Sequence, residues 1–565
     1  MSTRPSADES SSAPPSDSIR LFVWLALAFF VMTKLLLSWG RYFNQDEFEY
    51  MHQGWLLHTG RLQYLDFNSN HPPFFFELLS RLNSFLAEPV ALLRAGRLLT
   101  LISSGVQLCL VAAIAHAAWG ARAARWALVV YATSATFLEW STEIRSDALM
   151  VPLWLGAVFL LLTPARIRDS YRLFAIGFLL GSAFWTNQKV VYLALPIGVF
   201  LLFGGPNRAW RPLALGWAAL GALLPTAVCL SSAALAGNLP ELLRHNFVGA
   251  AELAASDPYR QFRPLVLRHL VSRDAGLVVL AGLAAGWAVI GWKELNRAGR
   301  YALFAASWGV GTFFITPGPF HYYMLSVLPV VVVLVGGFLA SRIRLRSSAW
   351  MGACVLLLLV SAPVVRIAKF VAPTNEFQFQ VMRIGSALTS PETPVFDGAG
   401  VLIQRPDAYG FHWVLWSPEV TKYWRGELPP IAPTVRSGGG RLVLLTYRVL
   451  ALPEKDLWNL MHQFPRLWGP ICVPGFDSGP GSRSGSGPLP FELWYEGDYE
   501  VYPSGAWIDG QPIAGMVHLN AGRHEARLPE GARRIAIRDA SYRRKIELPA
   551  EPLDWRVFGD YGYTF

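Results

Sequence analysis

The chain has 565 residues, of which 53% are hydrophobic and only 16% are charged. Soluble domains carry about 25% charged residues, so this composition excludes an ordinary soluble protein and predicts a membrane protein. The formal net charge of +10 would suit a nucleic-acid partner, but the basic residues fall in short loops between apolar runs. Basic residues in such loops set membrane topology, and we therefore expect no nucleic-acid partner.

Residues 1–18 are rich in Ser, Pro and Ala, which predicts a disordered cytoplasmic segment. The run from Ile19 to Trp39 can span a bilayer and is followed by no small-residue cleavage pattern, so we expect a retained signal anchor. The further predicted spans are residues 90–117, 123–140, 146–163, 172–187, 189–204, 212–235, 274–292, 301–316, 320–340 and 348–370. The predicted fold class is an α-helical polytopic membrane domain, residues 19–371, with about 11 transmembrane helices.

The distribution of Lys and Arg predicts the orientation of these spans. Basic groups such as Arg122 with Arg125, and Arg342 with Arg344 and Arg346, fall on alternate loops that share one side. Cationic side chains keep their loops in the cytoplasm. We therefore expect a cytoplasmic N-terminus, with the opposite loops and the C-terminal tail on the extracytoplasmic face of the membrane.

The first extracytoplasmic loop, residues 40–89, is predicted to form two helices on the membrane surface. The first has large apolar residues at helical spacing, namely Phe48, Met51, Trp55 and Leu56. The second begins at Pro72 and Pro73, since proline is tolerated in a first helical turn.

The tail, residues 372–565, is predicted to be a separate extracytoplasmic domain of α/β or β-rich structure. A Gly/Ser/Pro stretch from Ser478 to Pro490 is typical of a linker, and alternating runs after it predict a small β unit at residues 491–565. Three of the four cysteines lie in apolar segments and one in the tail, so no disulfide framework is predicted.

Polar residues gather beside the spans on the predicted extracytoplasmic side. Asp46, Glu47 and Glu49 follow the first span, and membrane anchoring does not require such a cluster. The other residues on this side are Glu139, Glu143, Arg145, Asp147, Asn187, Gln188, Lys189, His321, Tyr322 and Tyr323. Any one of them alone is usually a solvated neighbour of a span, so the interpretation depends on their joint occurrence at one face.

Carboxylates and cations that converge beside lipid suit group transfer from a phosphate-linked donor. A carboxylate can take the proton of an acceptor hydroxyl, while Arg and Lys neutralise the departing phosphate. A membrane site for this reaction implies a donor that itself lives in the membrane. A divalent metal ion at the acidic cluster stays open as a cofactor, because no spacing identifies one.

The order of these motifs resembles the C-fold (GT-C) glycosyltransferases, and most closely the branch of the bacterial protein mannosyltransferase-like proteins and the lipid A aminoarabinose transferase. The motifs are an acidic pair with Tyr50 after the first span, His71-Pro72-Pro73, Arg145-Ser146-Asp147, the run from Gly177 to Lys189, and Tyr323 to Pro329. The resemblance covers about residues 20 to 345.

The resemblance implies inverting transfer of a sugar from a polyprenyl-phosphate donor, on the periplasmic face of a bacterial inner membrane, to a lipid, glycan or protein acceptor. By position, Asp46 would be the acceptor-activating base, Glu47 its support and Asp147 the second acidic residue. Arg145 and Lys189 would contact the donor phosphate. His71 and Tyr323, which lie in the matched motifs, are further substrate-binding candidates, and His321 is a third because it lies at the same face. His71 stands where the aminoarabinose branch has Lys, which weakens the expectation of a lipid A phosphate acceptor.

Two other functions are weighed against the transferase. A transporter or flippase for lipid-linked saccharides would place charged or broken helices near the middle of the membrane, whereas these spans are nearly free of charge there, with Lys34 the main exception. A non-catalytic envelope assembly protein would leave Asp46 and Arg145 dispensable. The one-sided polar cluster favours the transferase.

Overall fold

The computed structural model describes residues 17–163, 168–203, 211–256, 263–316, 320–343, 354–355, 357–361, 364, 375–415, 417–479, 487–543 and 545–550. Residues 1–16 of the predicted disordered segment and most of the predicted span 348–370 therefore lie outside the described residues, while residues 17 and 18 begin the first helix. The part of the chain before the tail is built from helices that pack around one extended apolar core.

The helices before the tail are α1 (Asp17–Gly40), α2 (Gln45–His58), α3 (Pro73–Asn83), α4 (Pro89–Trp119), α5 (Ala121–Thr133), α6 (Ala135–Trp140), α7 (Ser146–Leu162), α8 (Asp169–Thr186), α9 (Val190–Phe203), α10 (Arg211–Ala236), α11 (Leu239–Leu243), α12 (Ala250–Ser256), α13 (Arg263–Arg273), α14 (Ala275–Ile290), α15 (Arg297–Thr312) and α16 (Met324–Arg342). A π-helical turn (Arg244–Gly249) precedes α12, and a 3-10 turn (His321–Tyr323) precedes α16.

Long apolar helices confirm a helical membrane protein. Within the described residues, 4 helices are long and apolar enough to cross a membrane, or up to 5 if α13 and α14, which meet at 95°, form one span. The helices α7 and α9 are apolar but shorter. The count of eleven spans stays a prediction.

The predicted third span, 123–140, consists of two helices, α5 and α6, that are interrupted at Ser134. The side chain of Asp274 explains the break, because its carboxylate accepts hydrogen bonds from the backbone N–H groups of Ala135 (2.8 Å) and Thr136 (2.9 Å). A carboxylate at a helix N-terminus satisfies donors that have no partner within the helix. Apolar patterning cannot reveal such a partner from a distant segment.

Small residues let α8 and α10 approach closely. A Cβ added at Gly177 would lie 1.7 Å from the carbonyl oxygen of Ala218, and one at Gly221 would lie 1.9 Å from that of Phe174. Membrane helices associate through such small-residue contacts because lipid offers little hydrophobic drive between helices. Gly177, the first residue of the motif that ends at Lys189, therefore lets α8 pack closely against α10.

The helix α2 lies between the membrane helices and the tail. Asn44 and Glu47 form a capping box at its start, and 10 of its 14 residues are buried. Its apolar residues Phe48 and Met51 share a core with residues of the tail such as Phe379 and Val401. The predicted surface helix is thus covered by the C-terminal domain.

The tail contains helices and three four-stranded sheets. Its helices are Glu376–Leu388, Ser417–Trp424, Ile431–Ser437, Tyr447–Leu450, Glu454–Gln463 and Ala540–Arg543, with a 3-10 turn at Gly410–His412. Its strands are β1 (Val395–Phe396), β2 (Leu442–Leu444), β3 (Arg466–Trp468), β4 (Ile471–Cys472), β5 (Gly475–Asp477), β6 (Leu489–Leu493), β7 (Gly497–Tyr502), β8 (Trp507–Ile508), β9 (Gln511–Pro512), β10 (Met516–Leu519), β11 (Gly522–Arg527) and β12 (Ala536–Asp539).

The first sheet has the order β1-β2-β4-β3, with β1 and β2 parallel, and it packs on the helices of the tail. The other two sheets, β10-β7-β12-β5 and β6-β11-β8-β9, enclose a separate apolar core that includes Leu493, Tyr499 and Ile537. This β-rich unit begins at β5, before the predicted linker, and residues 551–565 lie outside the described part of the chain.

Candidate active site

Four connections meet at one end of the helical bundle. Asp46 lies in the first turn of α2, Arg145 directly precedes α7, Lys189 lies between α8 and α9, and Tyr322 lies in the turn before α16. The guanidinium of Arg145 is 3.0 Å from the Asp46 carboxylate. The Tyr322 ring centroid lies 4.0 Å from the Arg145 guanidinium and 4.5 Å from the Lys189 ammonium. The predicted acidic and basic candidates are therefore neighbours in space.

Asp46 is an ionised carboxylate that remains reachable from outside. Arg145 Nη2 forms an ion pair with one oxygen at 3.0 Å, and Arg448 Nη2 donates a hydrogen bond to the other at 2.8 Å. Burial would raise the pKa of Asp46, but Arg145 and Arg448 lower that pKa below its usual value. The side chain is 27% exposed. Because each carboxylate oxygen has two lone pairs, both oxygens can still accept a proton from a substrate.

Glu47 lies next to Asp46 in sequence but belongs to a different contact network. Its side chain has no exposed area, and Arg97 donates to its two oxygens at 3.0 and 2.8 Å. The backbone N–H groups of Asn44 (2.9 Å) and Ile144 (3.0 Å) complete its partners. The carboxylate thus joins α2 to α4 and to the loop that carries Arg145. Its predicted role as support for Asp46 remains a prediction.

Glu49 faces the tail. Its carboxylate accepts hydrogen bonds from Arg448 Nη1 at 2.8 Å and from Gln53 Nε2 at 3.1 Å. Burial raises the pKa of Glu49 to about 7, even though Arg448 opposes that rise. Arg448 therefore bridges the two carboxylates at the start of α2.

Asp147 and Lys189 form a second pair in the site. Lys189 Nζ lies 3.2 and 3.4 Å from the two oxygens of Asp147, and Asn187 Nδ2 donates to the same carboxylate at 3.3 Å. Asp147 is buried, whereas the Lys189 side chain is 18% exposed. Burial lowers the pKa of Lys189, and Asp147 partly offsets the shift. An ammonium has three N–H donors, so this pair can present Lys189 to an anion.

His71 lies beside this cluster as a neutral imidazole. Its Nε2 is 3.0 Å from the hydroxyl of Tyr50. Its carbonyl oxygen accepts from the Tyr64 hydroxyl at 2.5 Å and from Gln63 Nε2 at 2.9 Å. Burial, followed by the nearby Lys189, lowers the pKa of His71 to about 4.

The turn before α16 contributes Tyr322 rather than Tyr323 to the cluster. Tyr323 is buried, and its hydroxyl lies 2.5 Å from that of Thr312 and 3.3 Å from that of Thr316. These contacts direct Tyr323 toward the end of α15. The backbone of His321 begins the turn, but its side chain lies outside what the structure describes.

A buried chain of ion pairs holds Arg145 in place. Arg145 Nε donates to Glu143 at 2.6 Å, and Arg41 Nη2 donates to the other oxygen of Glu143 at 2.9 Å. Arg41 also donates to the carbonyl oxygen of Glu139 at 2.9 Å, while Arg273 lies 3.0 Å from the Glu139 carboxylate. Because the chain of contacts runs from the connection that carries Arg145 to α6, to α13 and to the residue after α1, the packing of the bundle fixes the position of Arg145.

The carboxylates do not form a site that fits a divalent metal ion. The part of the chain that the structure describes has no group of three or more His, Cys, Asp or Glu residues arranged to hold a metal. Asp46, Glu49 and Asp147 are instead matched with Arg and Lys, whose charges compete with a cation.

The arrangement of apolar helices, charged cluster and docked C-terminal domain resembles the C-fold (GT-C) of solved structures such as ArnT and an archaeal oligosaccharyltransferase. Residues 70–232 match the family model for dolichyl-phosphate-mannose-protein mannosyltransferase. No curated protein sequence matches the chain. The resemblance predicted from the sequence motifs is confirmed.

Solved structures show the same fold. The chain is similar to apo ArnT from Cupriavidus metallidurans, with a TM-score of 0.56 and 15% identity over 81% of this chain and 97% of that one. The undecaprenyl phosphate-bound form of that ArnT matches with a TM-score of 0.51 and 16% identity, over 69% of this chain and 85% of the other. The apo oligosaccharyltransferase of Archaeoglobus fulgidus matches with a TM-score of 0.53 and 11% identity, over 89% of this chain and 74% of the other.

Proposed function

We propose that this protein transfers a sugar, with inversion, from a polyprenyl-phosphate donor to an acceptor hydroxyl on the periplasmic face of a bacterial inner membrane. The observation that carries the proposal is the pairing of an ionised, 27% exposed Asp46 with Arg145, in a cluster that also holds the partly exposed Lys189. A base and phosphate-binding cations beside lipid are the groups this reaction needs. The similarity to an ArnT that was solved with undecaprenyl phosphate supports a lipid-linked donor.

In the proposed reaction the acceptor oxygen attacks the anomeric carbon while the bond from that carbon to the phosphate oxygen breaks. The acceptor proton passes to Asp46, and the carrier leaves as polyprenyl phosphate. Direct displacement from the opposite face inverts the anomeric centre. A positioned general base contributes about 10²–10⁴-fold to such a step.

Lys189 and Arg145 are the cations proposed to stabilise the phosphate as negative charge develops on it. Lys189 is the more accessible of the two, and Asp147 positions it through the contacts at 3.2 and 3.4 Å. The neutral His71 and the hydroxyl of Tyr50 lie beside the pair and are suited to hydrogen bonds with a sugar or acceptor.

The positive-inside pattern supports a periplasmic site. The connections that carry Asp46, Arg145 and Lys189 meet at one end of the bundle, whereas basic residues lie near the N-terminal ends of α5 and α8, at the other end of those helices, namely Arg122, Arg125 and Arg172. Loops rich in Lys and Arg stay in the cytoplasm, so the site belongs on the opposite face.

Deletion of the gene tests this function. Mass spectrometry of envelope glycolipids, glycans and glycoproteins should show one sugar modification that disappears in the deletion strain and returns with the wild-type chain. Accumulation of the lipid-linked donor at the periplasmic leaflet would accompany its loss. An unchanged glycan profile, or accumulation of donor at the cytoplasmic leaflet alone, would contradict the transferase and favour a transporter.

A further inference from the structure

The C-terminal domain places a buried arginine in the candidate active site. Arg448 is only 2% exposed, and its two terminal nitrogens donate to different carboxylates, Asp46 at 2.8 Å and Glu49 at 2.8 Å. Arg448 and Asp46 are 402 positions apart in the chain. Both acceptors belong to α2 of the membrane domain, so this side chain is a direct link between the two domains.

The tail holds Arg448 on a rigid turn. Thr446 donates through its hydroxyl to the carbonyl oxygen of Asp397 at 2.7 Å, and that hydroxyl also accepts from the N–H of Val449 at 3.3 Å. The carbonyl oxygen of Gly398 accepts from Arg448 Nη1 at 3.4 Å. The turn is therefore bound to the neighbouring loop through the Thr446 hydroxyl and through the side chain of Arg448 itself.

That neighbouring loop, residues 397–402, rests directly on α2. The carboxylate of Asp397 accepts from the backbone N–H groups of Ala399, Gly400, Val401 and Leu402 at 2.6–3.3 Å. Gly400 has a φ of +70°, and a Cβ added there would lie 2.6 Å from Cβ of His52. Because this loop lies so close to α2, the side chain of Arg448 can reach the carboxylates of Asp46 and Glu49.

Further contacts fix the docking of the tail on α2. His52 lies 2.8 Å from the Asp407 carboxylate and 2.7 Å from the carbonyl oxygen of Ile403. Gln378 makes two hydrogen bonds to the backbone of Phe43, just before α2. The contact between Arg448 and Asp46 thus sits at the centre of an ordered interface.

We propose that Arg448 is a positioning residue of the catalytic centre, which makes the C-terminal domain part of the active site. The proposal rests on the transferase function, with Asp46 as its base. Arg145 from the membrane domain holds one oxygen of Asp46, and Arg448 from the tail holds the other. With both oxygens fixed, the remaining lone pairs can face an acceptor in only a narrow range of directions. A displacement of about 1 Å in such a group can cost about 100-fold in rate.

Transfer by purified full-length protein tests this proposal, with undecaprenyl phosphate carrying the sugar that the deletion strain fails to transfer. We expect Arg448→Gln to lower kcat by about 100-fold with little change in the KM for donor. The matched control is Arg436→Gln, which removes an exposed arginine of the same domain that pairs with Glu492. Arg436→Gln should keep wild-type kcat.

The pH profile separates a positioning role from a general loss of structure. Arg448→Gln removes a cation from Asp46, so the pKa of that carboxyl rises and the acidic limb of kcat/KM moves to higher pH. The other titratable or charged groups that act on Asp46 are Arg145, His71, Glu49, Tyr50 and Lys189. The shift should persist in a Glu49→Gln background, which removes the other carboxylate that Arg448 contacts. Arg448→Lys, which keeps the charge without the planar fork, should lose kcat by about tenfold and keep the wild-type limb.

The measured kcat and the position of the acidic limb decide whether Arg448 has a positioning role. Reduced kcat with a shifted limb in Arg448→Gln supports the positioning role. Wild-type kcat and an unmoved limb in a folded Arg448→Gln overturn it while leaving the transferase intact. If Arg448→Gln does not fold, Arg448→Lys decides through its kcat, and wild-type kcat there overturns the proposal. If the wild-type protein transfers no sugar from any polyprenyl-phosphate donor, the proposed function fails and Arg448 loses its assigned role with it.

Discussion

Replacement of Glu47 by glutamine tests whether this carboxylate holds the structure or takes part in the chemistry. Its two oxygens accept from four N–H donors, two on Arg97 and one each on the backbones of Asn44 and Ile144. A glutamine side chain turns one oxygen into an NH₂ group, so two of those donors lose their acceptor. The substitution also removes the negative charge that balances the buried Arg97.

The magnitude follows from these contacts. Loss of one partner from a buried ion pair costs about 3–5 kcal/mol. Arg97 keeps hydrogen bonds to the carbonyl oxygens of Leu37, Ser38, Arg41 and Tyr42. We therefore expect Glu47→Gln to lower the free energy of unfolding by about 3 kcal/mol, at the lower end of that range.

Titration with SDS in mixed micelles measures this free energy. The control is Glu77→Gln, at an exposed position on the neighbouring α3, and it should change the value by less than about 0.5 kcal/mol. The folded fraction of Glu47→Gln should keep transfer within about tenfold of wild type, because Asp46 remains. Unchanged stability together with lost transfer would refute the structural assignment of Glu47.

Two further predictions concern the donor side of the site. Lys189→Ala should raise the KM for donor by at least about tenfold, the value of a charge-assisted hydrogen bond, and change the acceptor KM little; equal donor KM values would remove Lys189 from the phosphate site. His71 has a folded pKa of about 4, below that of the unfolded chain, so between pH 6.5 and 4 the unfolded state binds more protons and stability falls as pH falls. Unfolding measured at pH 7 and pH 4.5 should therefore show a smaller loss of stability in His71→Gln than in wild type, and an identical loss would show that His71 is not buried as a neutral ring.

The helical framework was predictable because apolar length and periodicity are local properties of the sequence. The runs at 19–39, 90–117 and 212–235 correspond to α1, α4 and α10, and each predicted end lies within two residues of the observed one. The prediction of one helix over 123–140 was wrong, since Asp274 caps a second helix there. A cap supplied from a distant segment leaves no mark on the local pattern.

The candidate site was only partly predictable, for the same reason. The joint occurrence of Asp46, Arg145, Asp147 and Lys189 followed from topology, which places alternate loops at one end of a bundle. Arg448 could not be predicted, because nothing in the sequence of the tail indicates which of its arginines reaches α2. The buried position of Arg97 was also hidden, since an arginine near a helix end is usually expected to extend to the membrane interface.

Lys34 shows how a charge inside an apolar run can serve structure. Its ammonium donates to the hydroxyls of Ser141 (2.6 Å) and Thr142 (2.9 Å), which belong to the segment that leads to Arg145. Lys34 therefore tethers α1 to the connection that carries a site residue. This contact gives Lys34 a structural role, so a transport pathway is not needed to explain a charge in this span.

Transfer by Asp46→Asn tests the central claim most directly. The substitution keeps the shape of the side chain and removes its ability to take a proton, so kcat should fall by about 10²–10⁴-fold while the protein still inserts, folds and binds donor. The assay uses purified protein, a polyprenyl-phosphate-linked sugar and the acceptor that the deletion strain leaves unmodified. Loss of transfer with unchanged donor affinity is the predicted result; transfer at the wild-type rate would show that Asp46 is not the base.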